Sequence, residues 1–245
     1  MTTSEAVAQP VDEIKFKEYR PLIEKYNQDK LEQIKSFDPE FYKLCLLKLP
    51  EQSDLDSKPI DARQFVLTRD LGLLTDSEFE IVNEYTIQDL LAKQLSGELT
   101  AETIAKAYIK SAIIAQLATN CVMQFLIPQA LEKAKVLDDH LKQTGALIGP
   151  MHGVPVSLKE QMGYKGQPTT ASYVSLIGNV VDKSSISNQV FDKLGAIFHV
   201  RTSQPQCIMH LDTWNNFIGR TRNPASTMLS PGGSSGGESA MVGMH

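Results

Sequence analysis

Two stretches of this chain carry groups suited to acid–base and nucleophilic chemistry. The first is Val154-Pro155-Val156-Ser157-Leu158-Lys159, a short apolar run that ends in an amine. A lysine at a strand end is ordinarily a solvated charge, because lysines seldom stay buried. Held in a dry site, the same amine gives up its proton more readily, since desolvation penalises the ammonium, and a neutral amine is a base that works near pH 7. The second stretch, Ser230-Pro231-Gly232-Gly233-Ser234-Ser235-Gly236-Gly237-Glu238, sets glycines on both sides of two adjacent serines. By composition it reads equally well as a flexible linker or as a segment whose backbone brings hydroxyl and N–H groups against a ligand. No Gly-Lys-Ser/Thr follows it, so it is not a phosphate-binding loop of the Walker type. His152, between Met151 and Gly153, reads as a structural turn histidine, with no acidic residue identifiable to orient it as a base. Asn215, Asn216 and Arg220 read as polar residues that order a loop.

Such groups need a frame, and the chain supplies it in two textures. Tyr19, Leu22, Ile23 and Tyr26 share one helical face, with Pro21 tolerable in a first turn and Glu13 preceding Lys17 in the favourable order. Residues 1–11 read as a polar, frayed terminus and Ser53–Ala62 as a loop. Thr75-Asp76-Ser77-Glu78 is a capping box. Thr86 caps a helix with the stripe Ile87, Leu90, Leu91 and Leu95, stopped by Gly97. Thr100 opens another with Ile104, Ala105, Tyr108 and Ala112 on one side, and Pro128 begins a third through Leu131, Ala134, Leu137 and Leu141. Up to about residue 145 the chain therefore reads as a layer of helices. Beyond it, Val154–Lys159 and Gly195–Val200 read as short buried strands with helical residues between them, an α/β arrangement.

Composition narrows the function. The 245 residues are 42% hydrophobic and 22% charged, which is ordinary for a globular chain and too apolar for a disordered one. A net charge of -5 gives no electrostatic footprint for nucleic acid or an anionic membrane. Cys45, Cys121 and Cys207 are odd in number and widely spaced, so neither a disulfide framework nor a zinc site is indicated. The amino terminus lacks a signal-peptide pattern, and no apolar run approaches membrane-spanning length. A cytoplasmic location is expected.

Taken in order, four segments resemble the amidase signature family: Gly149-Pro150-Met151-His152-Gly153-Val154-Pro155-Val156-Ser157-Leu158-Lys159-Glu160, Arg201-Thr202-Ser203-Gln204-Pro205-Gln206, Gly219-Arg220-Thr221-Arg222-Asn223-Pro224, and Ser230 through Glu238. Upstream, Gly72-Leu73-Leu74-Thr75, Asn120-Cys121 and Ala130 through Asp138 are similar to its fungal acetamidase branch, so the likeness covers most of residues 60–245. Arg201 and Ser203 depart from the Lys and Asn usual there. The resemblance implies an α/β, amidase-signature fold: a mixed β-sheet covered by helices, preceded by an N-terminal helical layer. Residues 1–75 would form that helical extension, and 76–245 the N-terminal part of the signature domain, with its sheet incomplete.

The implied activity is hydrolysis of the carbon–nitrogen bond of linear carboxylic amides, acetamide-like or with a longer acyl chain, by a Ser–cis-Ser–Lys triad. Lys159 matches the basic lysine, and Ser234 the serine that follows a cis peptide bond, relays the proton and borders the substrate. Ile208 matches a position bordering the substrate in related fatty-amide hydrolases, with core packing an equal explanation. Such a mechanism runs on side chains and water, so no metal or organic cofactor is expected. The expected partner is a small amide, with no nucleic acid, no membrane span, and a homodimer where the domain is complete. The family carries its nucleophilic serine and oxyanion-hole amides in a further glycine-rich segment, which neither Ser235 nor Ser239 matches. Residues 1–245 are thus expected to hold two of the three triad members and to be inactive alone. Two alternatives stand beside this reading. One is the amidase subunit of a tRNA-dependent amidotransferase, disfavoured by the helical extension, the acidic balance and the absence of a transit peptide. The other is a non-catalytic remnant.

Overall fold

A computed structural model describes residues 13–244, with side chains from residue 17. The segment 1–11, expected to be frayed, lies outside the described residues, and so does the side chain of Glu13 in the Glu13–Lys17 pair. Helix α1 (Glu13–Phe37) starts well before the apolar face that announces it, so Pro21 lies inside the helix and not in its first turn. A proline there removes one backbone bond of the ladder. Contacts from distant residues secure the helix: Asn27 Nδ2 donates to Phe217 O (2.6 Å), and the Tyr26 ring meets Phe217 edge-on at 5.2 Å.

Helix α2 (Pro39–Lys48) is capped by Asp38, whose carboxylate accepts the Phe41 N–H at 2.9 Å. Helix α3 (Gln52–Ser57) occupies the first half of the expected loop, and residues 58–62 stay outside any helix. Its stabilisers are mostly not local: Leu55 is wholly buried, and Arg222 reaches in to Asp56 (2.6 Å) and Gln52 (3.1 Å). Helix α4 (Gln64–Leu67) is a single turn. Helix α5 (Asp76–Asn83) carries the anticipated capping box, Thr75 with Glu78. Thr75→Ala strips the Glu78 N–H of its acceptor and is expected to cost about 1 kcal/mol, read as a lower urea midpoint at unchanged m-value.

Helix α6 (Ile87–Ser96) has its second box, Thr86 with Asp89, and ends on Gly97 at φ 78°. Its buried side narrows to Leu90 and Gln94, while the stripe residues Ile87 (50%) and Leu95 (55%) stay exposed. Gln94 is inward because its Nε2 donates to His152 O at 2.9 Å. Helix α7 (Ala101–Thr119) is buried on almost every side. A strand, β1 (Val122–Phe125), then interrupts the supposed all-helical layer before α8 (Ile127–Thr144). Four residues without alternation offer no strand period to read, which is why the pattern missed it.

The remaining elements are β2 (Pro155–Lys159), α9 (Ile186–Lys193), β3 (Ile197–Thr202), the short pair β4 (Trp214–Asn215) and β5 (Gly219–Arg220), and α10 (Gly236–Met244). In the main sheet β3 is central, antiparallel to β1 and parallel to β2. A parallel pair needs a crossover, and the chain between β2 and β3 provides it with α9. The result is α/β, a small mixed sheet flanked by helices and incomplete at three strands among the described residues. One hydrophobic cluster joins Ile34 and Phe41 of the first helices to Ile104, Val200 and Met241. Among the described residues, no helix is long and apolar enough to cross a membrane.

Candidate active site

Strands β2 and β3 run parallel, so their carboxyl ends share one edge, where open α/β sheets gather functional groups. Lys159 is the last residue of β2 and pairs with Thr202, the last of β3. Helix α10 begins against this edge. The Gly237 N–H donates to Ser203 O at 3.0 Å, and a Cβ on Gly237 would stand 2.8 Å from Ser203 Cα. Only glycine allows that approach. A Cβ on Gly233 would likewise stand 2.8 Å from the Leu211 carbonyl carbon. The glycines therefore seat the segment instead of loosening it, and Gly236–Glu238 is helix where a loop was expected. By its letters Gly232-Gly233-Ser234-Ser235-Gly236 fits Gly-x-Ser-x-Gly, but no strand leads into it, so it is not a strand-to-helix elbow.

The peptide bond between Gly233 and Ser234 is cis. Lys159 Nζ donates to Ser234 Oγ at 2.8 Å and to Ser235 Oγ at 3.0 Å. Lys159 and Ser234 are half-buried, while Ser235 is exposed. Burial lowers the Lys159 pKa from the usual lysine value, and the Glu238 carboxylate opposes that shift. Glu238 accepts from Ser157 Oγ (2.6 Å) and from Thr202 Oγ1 (2.7 Å), so one carboxylate ties β2, β3 and α10 together below the amine.

A second carboxylate, Glu160, follows the lysine directly and is 1% exposed. It accepts from Thr170 N (2.6 Å), Thr170 Oγ1 (2.9 Å), Ala171 N (3.0 Å) and Gln204 Nε2 (2.8 Å). Arg201 lies 4.0 Å away, fully buried, bonded to Gln124 Oε1 and Thr169 Oγ1 at 3.1 Å each and to the Pro168 and Glu160 carbonyls. Burial lowers the guanidinium's pKa, and Glu160 works against it. The arginine is thus a strand-end anchor with four partners on three segments. Around it, Ala171 (φ 47°) and Ser172 (φ 63°) face Cys207 (φ 62°) and Ile208 (φ 52°), joined by the Cys207 N–H on Ala171 O at 3.2 Å.

Ile208 is half-buried on the turn Gln206–Ile208, and the chain continues from it to Leu211, which backs Gly233. His152 stands apart from the Lys159 cluster. It is buried, its Nδ1 accepts the Ile148 N–H at 3.0 Å, and burial lowers its pKa. Asn215 orders a loop: its Oδ1 accepts from Phe217 N (3.0 Å) and Ile218 N (3.1 Å), and its Nδ2 donates to Gln204 O (2.8 Å). Arg220 donates to Met228 O at 2.9 Å, and Asn216 is exposed. A depression of 670 Å³ between Phe41, Leu74 and Lys110 shares no residue with the Lys159–Ser234 pair. Among the described residues, no group of three His, Cys, Asp or Glu side chains is placed to hold a metal ion.

In the sequence, Glu160 and Glu238 lie inside motifs with no role of their own to read. The available signal was position: each carboxylate sits within four residues of a lysine or serine in an otherwise uncharged stretch.

Comparison with known proteins matches this geometry to a family. The amidase family model matches residues 103–245. An acetamidase of Emericella nidulans is 38% identical over 197 residues, covering 80% of this chain and 36% of its own length. An amidase of Gibberella moniliformis is 38% identical over 184 residues, or 75% of this chain and 35% of that protein. The chain therefore spans little more than a third of these relatives. Among solved structures, a fatty acid amide hydrolase superposes with a TM-score of 0.85 at 40% identity, over 96% of this chain and 41% of that one. The native peptide amidase from Stenotrophomonas maltophilia gives 0.58 at 28% identity, over 63% and 33%. A family match over more than half of the chain, carried through the strand-end lysine and the glycine–serine segment alike, shows that the chain belongs to the amidase family.

Proposed function

We propose that the protein hydrolyses linear carboxylic amides, acetamide-like or longer in the acyl chain, with Lys159 as the base and Ser234 as the relay. The observation that carries this reading is the 2.8 Å contact between an amine of lowered pKa and a hydroxyl. The neutral amine takes the Ser234 proton while Ser234 takes that of a nucleophilic serine, whose oxygen bonds to the amide carbon. The proton returns through Ser234 to the leaving nitrogen as the carbon–nitrogen bond breaks. Water then cleaves the acyl ester through the same relay, releasing a carboxylate. The attacking serine and the amides that would hold the oxyanion are not assigned among residues 1–245. Ser234 and Ile208 border the acyl group. Residues 1–75 serve as a helical extension to the signature domain that begins at 76, and a cytoplasmic location accords with three free thiols.

The test is ammonia release from acetamide and butyramide by the complete enzyme, followed against pH. The reactive form is the neutral amine, so kcat/KM rises as pH passes the Lys159 pKa. The Glu238 carboxylate holds that pKa up. Glu238→Gln is therefore expected to move the rising limb to lower pH. A limb that stays put, or moves up, contradicts the assignment of Lys159 as the titrating base.

A further inference from the structure

A second buried lysine lies away from the site just described. Lys30, on the inner side of α1, is 9% exposed and donates from Nζ to the Val122 carbonyl of β1 at 3.0 Å. An ammonium carries three donors, and among the described residues the Val122 carbonyl is the acceptor that this one meets. No carboxylate among the described residues lies within ion-pair distance of Lys30. Burying an ammonium without a counter-charge is costly, and a protein relieves it by losing the proton or by taking up an anion.

The space for an anion is present. Lys30 lines a cavity of 280 Å³ between α1, the end of α7 and the turn after β4. Its apolar wall is Leu31, Ile34, Leu117, Phe217 and Ile218. The wall's amides are already used. Asn27 Nδ2 donates to Ile23 O and Phe217 O, Asn120 Nδ2 to Ile218 O and Arg220 O, and Gln116 bridges Asn120 and the Val122 N–H. A ligand therefore meets one cation beside an apolar wall. The volume falls just below the range of drug-sized pockets, about 300–1,000 Å³, and suits a smaller ligand.

We infer that this cavity binds a small monocarboxylate, its carboxyl group paired with the Lys30 ammonium and its short hydrocarbon tail against Leu31, Ile34 and Phe217. The site is separate from Lys159 and does not depend on the hydrolase reading. Burial also lowers the Lys30 pKa to about 8, with the buried Cys121 thiol the titratable group facing it. That value supplies a signature: an arriving carboxylate restores the ammonium, so binding above pH 8 draws a proton from the buffer, and binding at pH 6 does not.

The experiment is isothermal titration of the purified protein with butyrate, and with butyramide as the uncharged match, at pH 6 and pH 8.5 in buffers of different ionisation enthalpy. Butyrate is expected to bind at least about tenfold more tightly than butyramide, a charge-assisted contact being the difference. Proton uptake is expected at the higher pH alone. Lys30→Met keeps the side chain's length without its charge and should abolish both effects while the protein stays folded by circular dichroism. Leu31→Trp, which fills the chamber and leaves the lysine in place, should also abolish binding and covers the case in which the first variant does not fold. Equal affinity for butyrate and butyramide, no binding of either, or proton uptake that persists in Lys30→Met would each overturn the inference.

Discussion

Replacing Lys159 with alanine is expected to lower kcat for amide hydrolysis by at least ~10,000-fold, with KM little changed. The reason is specific to the relay. The Lys159 amine sits 2.8 Å from Ser234 Oγ, and no other basic side chain is recorded bonding that hydroxyl among the described residues. Without the amine, the proton of the attacking hydroxyl has no acceptor, whereas the groups that bind the amide are untouched. Ser234→Ala should cost a similar factor, and the double variant little more than either single one, because groups acting as a unit lose their effect together. Independent, additive losses would mean the two side chains do not share one proton path. Steady-state kinetics on all three variants decides it.

The second large effect is on stability. Glu160→Leu should lower stability by about 3–5 kcal/mol, since removing one partner strands a buried charge. That corresponds to a fall in Tm on the order of 10 °C. Four donors converge on the Glu160 carboxylate within 3.0 Å, and Arg201 stays buried beside it. With leucine in place, the Thr170 and Ala171 N–H groups and the Gln204 amide lose their acceptor, and no water reaches a residue 1% exposed. Calorimetric melting of the variant checks this. A shift of a degree or two would show that the loop 170–172 is held by something other than this carboxylate.

What could be read in advance followed the range of the interactions. The caps at Thr75, Thr86 and Thr100 were legible because each hydrogen bond closes within three residues. Lys159 and Ser234 were legible as a pair only through the ordered motifs, since 75 residues separate a contact of 2.8 Å. Helix α3 was not legible, because the arginine that secures it is at position 222. Arg201 and Glu160 look like ordinary surface charges in a sequence, and only the closing of β2 onto β3 buries them together. The start of α10 was hidden for a related reason. Glycine is a poor helix former, and its use at 237 is explained by the Ser203 backbone it must approach.

Such a relay needs a lysine whose surroundings favour the neutral amine while its tip stays in reach of the Ser234 hydroxyl. Nuclear magnetic resonance of protein carrying 13C at the lysine ε-carbon measures this directly, with the Lys159 signal assigned by its loss in Lys159→Ala. The account predicts a midpoint below the ordinary 10.5, moving lower still in Glu238→Gln. A Lys159 signal that titrates at or above 10.5 would contradict it.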